Sequence, residues 1–169
     1  METPRRKNIR LDGWDYSRAG WYFVTFCTKD KFCILWPQKP QPPVGAALGR
    51  PALSPVGTLV EEELHRIPIA YPMVSLERYV IMPNHVHIIL AIAQGGSRDG
   101  RPRAAPTISQ IINQTKGRIS KRAGFSVWQK SFYDHILRDE DEYFRTVQYI
   151  DENPVKWEDD CYNVKNVKP

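Results

Sequence analysis

Two histidines separated by one residue, His85 and His87, are the side chains in this sequence best placed to bind a metal ion. Apolar residues follow them as in a buried strand, and alternate side chains of a strand point to the same face of the sheet. Two imidazoles on one face can bind a metal ion if another part of the chain supplies a third ligand. The same spacing also fits two histidines that only pack in the core or lie at the surface, so the pattern alone leaves both interpretations open.

A tyrosine and an asparagine near the end of the chain, Tyr149 and Asn153, are four residues apart. In a helix this spacing places both on one face, where a hydroxyl nucleophile and an amide oxygen ligand are presented together. A tyrosine hydroxyl has a pKa of about 10, so its attack at neutral pH requires a metal ion to polarise the bond. Tyr143 and Tyr133 satisfy the same argument, and Tyr149 also fits a packed aromatic.

The hydrophobic pattern predicts the elements that must position these side chains. Strands are predicted over residues 21–28, 76–82, 85–92 and the second part of 127–137, and helices over residues 57–67, 107–122 and 139–153. Thr58 is the expected cap of the first helix, and the last must end before Pro154. The order β-α-β-β-α-β-α predicts an α+β fold, an antiparallel sheet with helices packed on it in a ferredoxin-like or RRM-like topology.

Length and composition indicate one globular domain over residues 1–169, since 41% of the residues are hydrophobic and 25% are charged. Two segments rich in Pro, Gly and Arg, residues 37–55 and 94–106, are predicted to be connections within it. No apolar run approaches the roughly 18 residues of a membrane span, and no secretory signal is visible. Three cysteines without C-x-x-C spacing argue against a disulfide framework or a zinc ribbon. We therefore expect a reduced, cytoplasmic protein with no membrane contact.

Basic and acidic residues are concentrated in different parts of the chain, whose net charge is +5. Residues 98–122 carry seven basic residues and one acidic residue, whereas residues 138–160 carry nine acidic and three basic residues. The acidic block fits a solvated helix face. The basic block fits either a solvated face or a surface that contacts the phosphates of a nucleic acid.

Several blocks of the sequence resemble the single-tyrosine transposases that carry the HUH motif, and among them the subgroup of REP-associated tyrosine transposases. The blocks are residues 5–16 and 21–28 near the start, YVIMPNHVH at residues 79–87, VWQKSFYDHILRDE at residues 127–140, and QYIDENPVKW at residues 148–157. The resemblance spans residues 5–157, with the blocks in the order that the family shows.

This resemblance implies the HUH fold and a role for each candidate side chain. His85 and His87 match the two metal-binding histidines, Asn153 matches the helix residue that completes the metal site, and Tyr149 matches the nucleophile. The family cleaves single-stranded DNA near imperfect hairpins, forming a 5′-phosphotyrosine and a free 3′-OH, which is the chemistry of DNA transposition. The implied cofactor is a divalent ion, Mg²⁺ or Mn²⁺, although two histidines also suit Zn²⁺, Co²⁺ or Ni²⁺. Monomers and homodimers both occur among such proteins.

Single-stranded DNA binds to cationic grooves with aromatic platforms, which predicts two groups of DNA-binding residues. The first group is Arg5, Arg6, Lys7 and Arg10, beside Trp14 and Tyr16, and the second is Lys116, Arg118, Lys121 and Arg122, with Trp128. Trp14 and Trp128 fit core positions equally well. The proline-rich segment 37–55 stands where family members carry a different segment, so the hairpin preference stays open.

Three hypotheses about function follow. The first is a metal-dependent endonuclease and strand transferase that acts on single-stranded hairpin DNA through Tyr149. The second is a protein that uses the same fold to bind hairpin nucleic acid without cutting it. The third is a metal-dependent hydrolase in which water attacks, so that no protein–DNA adduct forms. Tyr149→Phe separates the first hypothesis from the second, because it removes cutting while hairpin affinity is retained.

Overall fold

The computed structural model of the protein describes residues 18–37, 52–93 and 106–163. The elements are β1 (Gly20–Cys27), α1 (Pro55–His65), α2 (Ile67–Ala70), β2 (Val74–Ile81), β3 (His85–Ile92), α3 (Ile108–Ala123), β4 (Tyr133–Leu137) and α4 (Glu140–Glu152). Short 3₁₀ turns occupy Lys29–Lys31 and Trp157–Asp159. Most of the proline-rich segment 37–55, most of 94–106 and the basic residues at the N-terminus lie outside the described residues.

The four strands form one antiparallel sheet in the order β2-β3-β1-β4. The two central strands are β3 and β1. β1 and β2 lie on either side of β3 and are joined by a crossover through α1, which makes a split β-α-β unit. The order and direction of the strands confirm the predicted α+β, ferredoxin-like architecture.

Each strand of the sheet supplies two faces, and the two faces pack against different helices. The main core lies on the face covered by α1 and α3; its central members include Tyr22, Val24, Phe26, Val86, Ile88 and Leu90, each no more than 1% exposed. The intervening residues of β1 and β3 point to the other face, where a smaller cluster around Ile89, Leu137 and Ile150 packs against α4. Residues with even numbers in β3 therefore build the core, and the odd-numbered ones, including both histidines, face α4.

The helix boundaries follow local capping. Thr107 and Gln110 form a capping box at the start of α3, and Gly124 ends it at φ 80°, a left-handed conformation that favours glycine. Asp139 caps α4, whose first turn is acidic. The predicted cap of α1 is wrong: Ser54, not Thr58, accepts a hydrogen bond from the Gly57 N–H at 3.0 Å, and the helix begins at Pro55 because proline suits its first turn.

The loop before β4 is held by a buried amine. The Lys116 side chain donates to the carbonyl oxygens of Gln129, Lys130 and Ser131 at 2.6, 3.1 and 3.3 Å. Trp128 in the same loop is 6% exposed and packs edge-on against Phe26, with ring centroids 4.8 Å apart. α3 is thereby fastened to the segment that leads into β4.

Across the three described ranges, none of the helices combines the length and apolarity that a membrane span requires.

Candidate active site

The site is built on the first residues of β3, where the alternation of the strand places His85 and His87 on the α4 face. Both side chains are buried, at 0% and 1% exposure, and their Nε2 atoms are 3.1 Å apart. Two nitrogens bound side by side to one ion at about 2.1 Å are separated by about 3 Å. The two imidazoles are therefore already spaced as neighbouring ligands of a single ion.

Hydrogen bonds to the Nδ1 atoms orient both rings. The His85 Nδ1 lies 2.9 Å from the Asn84 Oδ1, and the His87 Nδ1 lies 2.7 Å from the Thr25 Oγ1. Asn84 uses its amide N–H groups as donors to backbone carbonyls, so its oxygen is the atom that faces His85 and accepts the Nδ1–H. This leaves the His85 Nε2 lone pair free for a ligand, as in metal sites whose histidines are oriented through the opposite nitrogen.

Burial keeps both rings neutral. Burial, with smaller contributions from His87 and Lys31, lowers the pKa of His85 to about 2, and burial lowers the pKa of His87 to about 3. Neutral imidazole is the form that binds metal ions. The Thr25 hydroxyl can donate to His87 or accept from it, so it accommodates either neutral tautomer of that ring.

Tyr149 stands beside this pair on α4. Its side chain is 44% exposed, and its hydroxyl oxygen lies 3.4 Å from the His87 Nε2. Burial raises the pKa of Tyr149, and a hydrogen bond from Asn153 opposes that shift only in part. The hydroxyl is therefore a phenol at neutral pH, held next to the nitrogens that would bind a metal ion.

The rival tyrosines occupy different places. The Tyr143 ring packs 4.9 Å from the Trp21 ring and belongs to the smaller cluster under α4. Tyr133 lies on β4, where its ring contacts that of Phe23, which also contacts the Tyr149 ring. Of the three tyrosines, Tyr149 is the one whose described contacts include a histidine of the pair.

Asn153 caps the C-terminal end of α4 and is 4% exposed. Its Oδ1 is buried and has no hydrogen-bond partner among the described residues, which leaves this oxygen available to bind a cation. The described ranges hold no group of three His, Cys, Asp or Glu side chains that could bind a metal ion. Imidazole nitrogens and an amide oxygen are donor types that divalent ions accept, so the chemistry of these three side chains suits such an ion, with Asn153 in the place of the more usual carboxylate.

The segment that follows α4, residues 157–163, lies over the histidine pair, and we call it the C-terminal cover. The Tyr162 ring centroid is 4.5 Å from that of His85, and the Tyr162 carbonyl accepts from the Asn84 amide at 2.9 Å. An Asp160 carboxylate oxygen lies 3.8 Å from the His85 Nε2. A cavity of about 230 Å³ opens between this cover and the end of α4, lined in part by Tyr149, Asn153 and Asp160. The cover accounts for the burial of His85.

Several residues of the site were not singled out in the sequence. Thr25 could have been found from the alternation of β1, since it stands directly across from His87 in the antiparallel register. Asn84 directly precedes His85, at a position where the sequence predicts only a turn. No signal in the sequence marks Tyr162 or Asp160, because their position over the histidines depends on the path of the chain after α4.

The structure describes some of the predicted DNA-binding residues and not others. Arg5, Arg6, Lys7 and Arg10 lie outside the described residues. Lys116 and Trp128 are corrected to structural residues: the first is 7% exposed with its amine bound to carbonyls, and the second is part of the main core. Burial also lowers the pKa of Lys116.

The remaining predicted cations lie on the exposed side of α3. Arg118 and Arg122 each donate to the buried carboxylate of Glu63 on α1, at 2.9 and 3.0 Å, and Arg122 also pairs with Glu62 at 2.6 Å. Lys121 is exposed. These side chains are on the α1–α3 face of the sheet, so they are separated from the histidine pair by the sheet itself.

Comparisons with known proteins agree with this architecture. The chain is 35% identical over 173 residues to an uncharacterized protein from Haemophilus influenzae, covering 92% of this chain and 91% of that protein. It is 27% identical over 83 residues to the REP-associated tyrosine transposase of Escherichia coli, covering 48% of this chain and 45% of the transposase. No family model matches.

A solved structure of a REP-associated tyrosine transposase bound to a REP hairpin has the same fold, with a TM-score of 0.59 and 20% sequence identity. The match covers 93% of this chain and 74% of that chain. The chain therefore belongs to one family with the Haemophilus protein, and it is a REP-associated transposase-like protein in its fold.

Proposed function

We propose that this protein is a metal-dependent endonuclease and strand transferase for single-stranded hairpin DNA, with Tyr149 as its nucleophile. The observation that carries the proposal is the position of the Tyr149 hydroxyl, 3.4 Å from the Nε2 of a buried histidine whose partner nitrogen is 3.1 Å away. A nucleophile and two ligands for an ion thus meet on one face of the sheet.

The proposed reaction exchanges one phosphodiester bond for another. The Tyr149 oxygen bonds to the phosphorus as its proton is lost, the bond from phosphorus to the 3′ oxygen breaks, and the leaving 3′ oxygen takes up a proton. The product is a 5′-phosphotyrosine and a free 3′-OH. Because the energy of the ester bond is kept, the strand can be rejoined to a second 3′-OH without a nucleotide triphosphate.

The residues that would hold the ion are His85, His87 and Asn153. When bound, Mg²⁺ or Mn²⁺ supplies charge that stabilises the oxygens of the scissile phosphate. The chain itself orients the imidazoles through Asn84 and Thr25 and fixes the nucleophile on α4. Tyr149 lies in the last turn of α4, which is a single helix from Glu140 to Glu152.

DNA is the partner that the family relationship supports, since a structural neighbour is bound to a REP hairpin. The cytoplasmic location stays a prediction.

A second candidate function is favoured by the burial of the histidines. Both rings are at most 1% exposed beneath the C-terminal cover, as expected for a protein that binds hairpin DNA without cutting it. The same geometry is compatible with cutting once the cover moves, so the two functions must be separated by experiment.

The experiment uses a panel of end-labelled single-stranded hairpins with flanking sequence, incubated with the protein and Mn²⁺ or Mg²⁺. A denaturing gel then reports any covalent protein–DNA band. We expect a band that disappears with EDTA and in Tyr149→Phe, which removes only the hydroxyl, while hairpin affinity is retained. Tyr143→Phe is the matched control, because Tyr143 lies on the same helix but packs against Trp21.

A band that survives Tyr149→Phe would show that another residue is the nucleophile. Hairpin binding without any band, with either metal ion, would favour the non-cutting function. Released product without an adduct would instead indicate attack by water.

A further inference from the structure

Beyond Tyr149, a line of aromatic rings crosses the α4 face towards β4, the last strand of the sheet that the described residues form. In the register of the strands, His87 of β3 stands across from Thr25 of β1, and Thr25 stands across from Tyr133 of β4. The three side chains therefore occupy one row on the same face. The row runs from the candidate metal site to the edge strand, the last strand in the sheet order.

Phe23, two residues before Thr25, connects the rings of this row. Its ring centroid is 5.3 Å from that of His87, 6.1 Å from that of Tyr149 and 6.5 Å from that of Tyr133. The rings of Tyr149 and Tyr133 are therefore no more than about 13 Å apart. A strand of nucleic acid with a phosphate at Tyr149 can reach Tyr133 with its next nucleotides.

Tyr133 contributes little to the packing of the described residues. It is 39% exposed, and neither the main core nor the smaller cluster under α4 includes it. Its described ring contact is the edge-on approach to Phe23 at an interplanar angle of 70°. The Tyr133 ring is thus partly exposed at the end of the row, in contact with the Phe23 ring.

We propose that Tyr133, supported by Phe23, is a stacking platform for an unpaired base next to the phosphate that Tyr149 attacks. The inference rests on the proposed function for the position of the phosphate. Bases of single strands stack on aromatic side chains with little regard to sequence, and Tyr133 lies in the row of the candidate ligands. The occupant is single-stranded nucleic acid, and the contact uses the ring of Tyr133 and not its hydroxyl.

The test measures equilibrium binding in EDTA, where no cleavage occurs, by fluorescence anisotropy. The probes are a labelled DNA hairpin with single-stranded thymidine tails on both ends and the same hairpin without tails. We expect Tyr133→Ala to weaken binding of the tailed hairpin about tenfold and to leave the hairpin without tails unchanged. Tyr133→Phe, which keeps the ring, should bind like the unmodified protein.

Phe125→Ala is the matched control. Phe125 is 49% exposed, but it follows α3, which packs on the other face of the sheet. Thermal unfolding of every variant shows whether a loss of affinity is a loss of folding, and a Tyr133→Ala protein that unfolds is replaced by Tyr133→Leu, for which the same loss is expected.

A second measurement locates the base. Single abasic positions are placed one at a time in the tails, and one of them should weaken binding by the unmodified protein but not by Tyr133→Ala. The proposal is overturned if the tails add no affinity, if Tyr133→Ala binds both probes like the unmodified protein, or if it weakens both equally. These binding measurements involve no cleavage, so they test the stacking proposal separately from the proposed function. Tyr133 can prove to be a platform when no Tyr149 adduct forms, and it can prove not to be one when the adduct does form.

Discussion

The two faces of the sheet use the same two central strands for different purposes. Towards α1 and α3, β1 and β3 present Tyr22, Val24, Ile88 and other apolar side chains that are fully buried. Towards α4 they present Thr25, His85 and His87, which are equally buried but polar. The α1–α3 face supplies most of the hydrophobic burial, whereas the α4 face, beside its smaller apolar cluster, holds polar groups in fixed positions. Neighbouring residues of a strand belong to opposite faces. A substitution at one residue can therefore change the stability of the fold, while a substitution at the next residue changes the chemistry of the site.

The largest contrast is expected between His87→Ala and Ile88→Ala. Loss of the His87 imidazole removes a ligand of the candidate metal site, and adduct formation should fall on the order of a thousandfold. Ile88→Ala creates a cavity in the main core and should lower the free energy of unfolding by about 2–5 kcal/mol. Gel assays of the adduct and urea unfolding of both variants check this contrast.

In the folded fraction of Ile88→Ala, adduct formation should be near that of the unmodified protein. The division between the faces would be refuted if Ile88→Ala, while still folded, lost adduct formation as completely as His87→Ala does.

A smaller effect is expected for Thr25→Val, which keeps the shape of the side chain and removes the hydroxyl that orients His87. Loss of such an orienting contact typically lowers metal affinity 10- to 100-fold. Titration calorimetry with Mn²⁺ measures it. Thr115→Val is the control, since Thr115 is equally buried but lies on α3, and its Mn²⁺ affinity should not change. Equal Mn²⁺ affinity in Thr25→Val and the unmodified protein would mean that Thr25 does not position the ligand.

The smallest effect concerns Glu63, a carboxylate of the α1–α3 face. Burial raises the pKa of Glu63, but hydrogen bonds from Arg122 and Arg118 outweigh burial and hold the pKa below its usual value. A lowered pKa stabilises the folded protein above the unfolded pKa of about 4.3, and this stabilisation is lost as the pH falls through the lower folded value. Glu63→Gln should therefore cost about 1 kcal/mol at pH 7, and less at pH 3.

Urea unfolding at the two pH values measures the Glu63 effect, with Glu62→Gln as the more exposed control. The two glutamates differ in burial: the Glu62 side chain is 52% exposed, and that of Glu63 is 1% exposed. A Glu63→Gln effect that did not shrink with falling pH would show that the arginine contacts are not its source.

Local signals in the sequence predicted most of the fold and part of the site. The bounds of β3 agree with the prediction at both ends, because alternation and the Pro83-Asn84 turn define the strand by themselves. The start of α3 agrees with the prediction to within one residue, because Thr107 is the N-cap and the helix begins at Ile108. The predicted start of α1 at Gly57 is two residues late, because Ser54 and Pro55 form the N-terminal signal that the helix uses.

Tertiary contacts decided what the sequence could not show. Lys116 has the residue type of a DNA contact, but only the packing of α3 against the loop before β4 reveals that its amine is used by carbonyls. The same holds for Tyr162, whose place over His85 depends on the direction of the chain after Asn153. Spacing placed Tyr149 and Asn153 on one helix face, but it could not select Tyr149 over Tyr143.

The amide of Asn84 carries a consequence for chemical ageing of the protein. Its two N–H groups point at the carbonyls of Lys31 and Tyr162, and its oxygen faces His85. Deamidation to aspartate would preserve the shape of the side chain but replace both donors with an oxygen that repels those carbonyls. Deamidation would therefore remove both hydrogen bonds that Asn84 donates, one of them to the C-terminal cover, and add a negative charge beside His85, without any change in the apolar core.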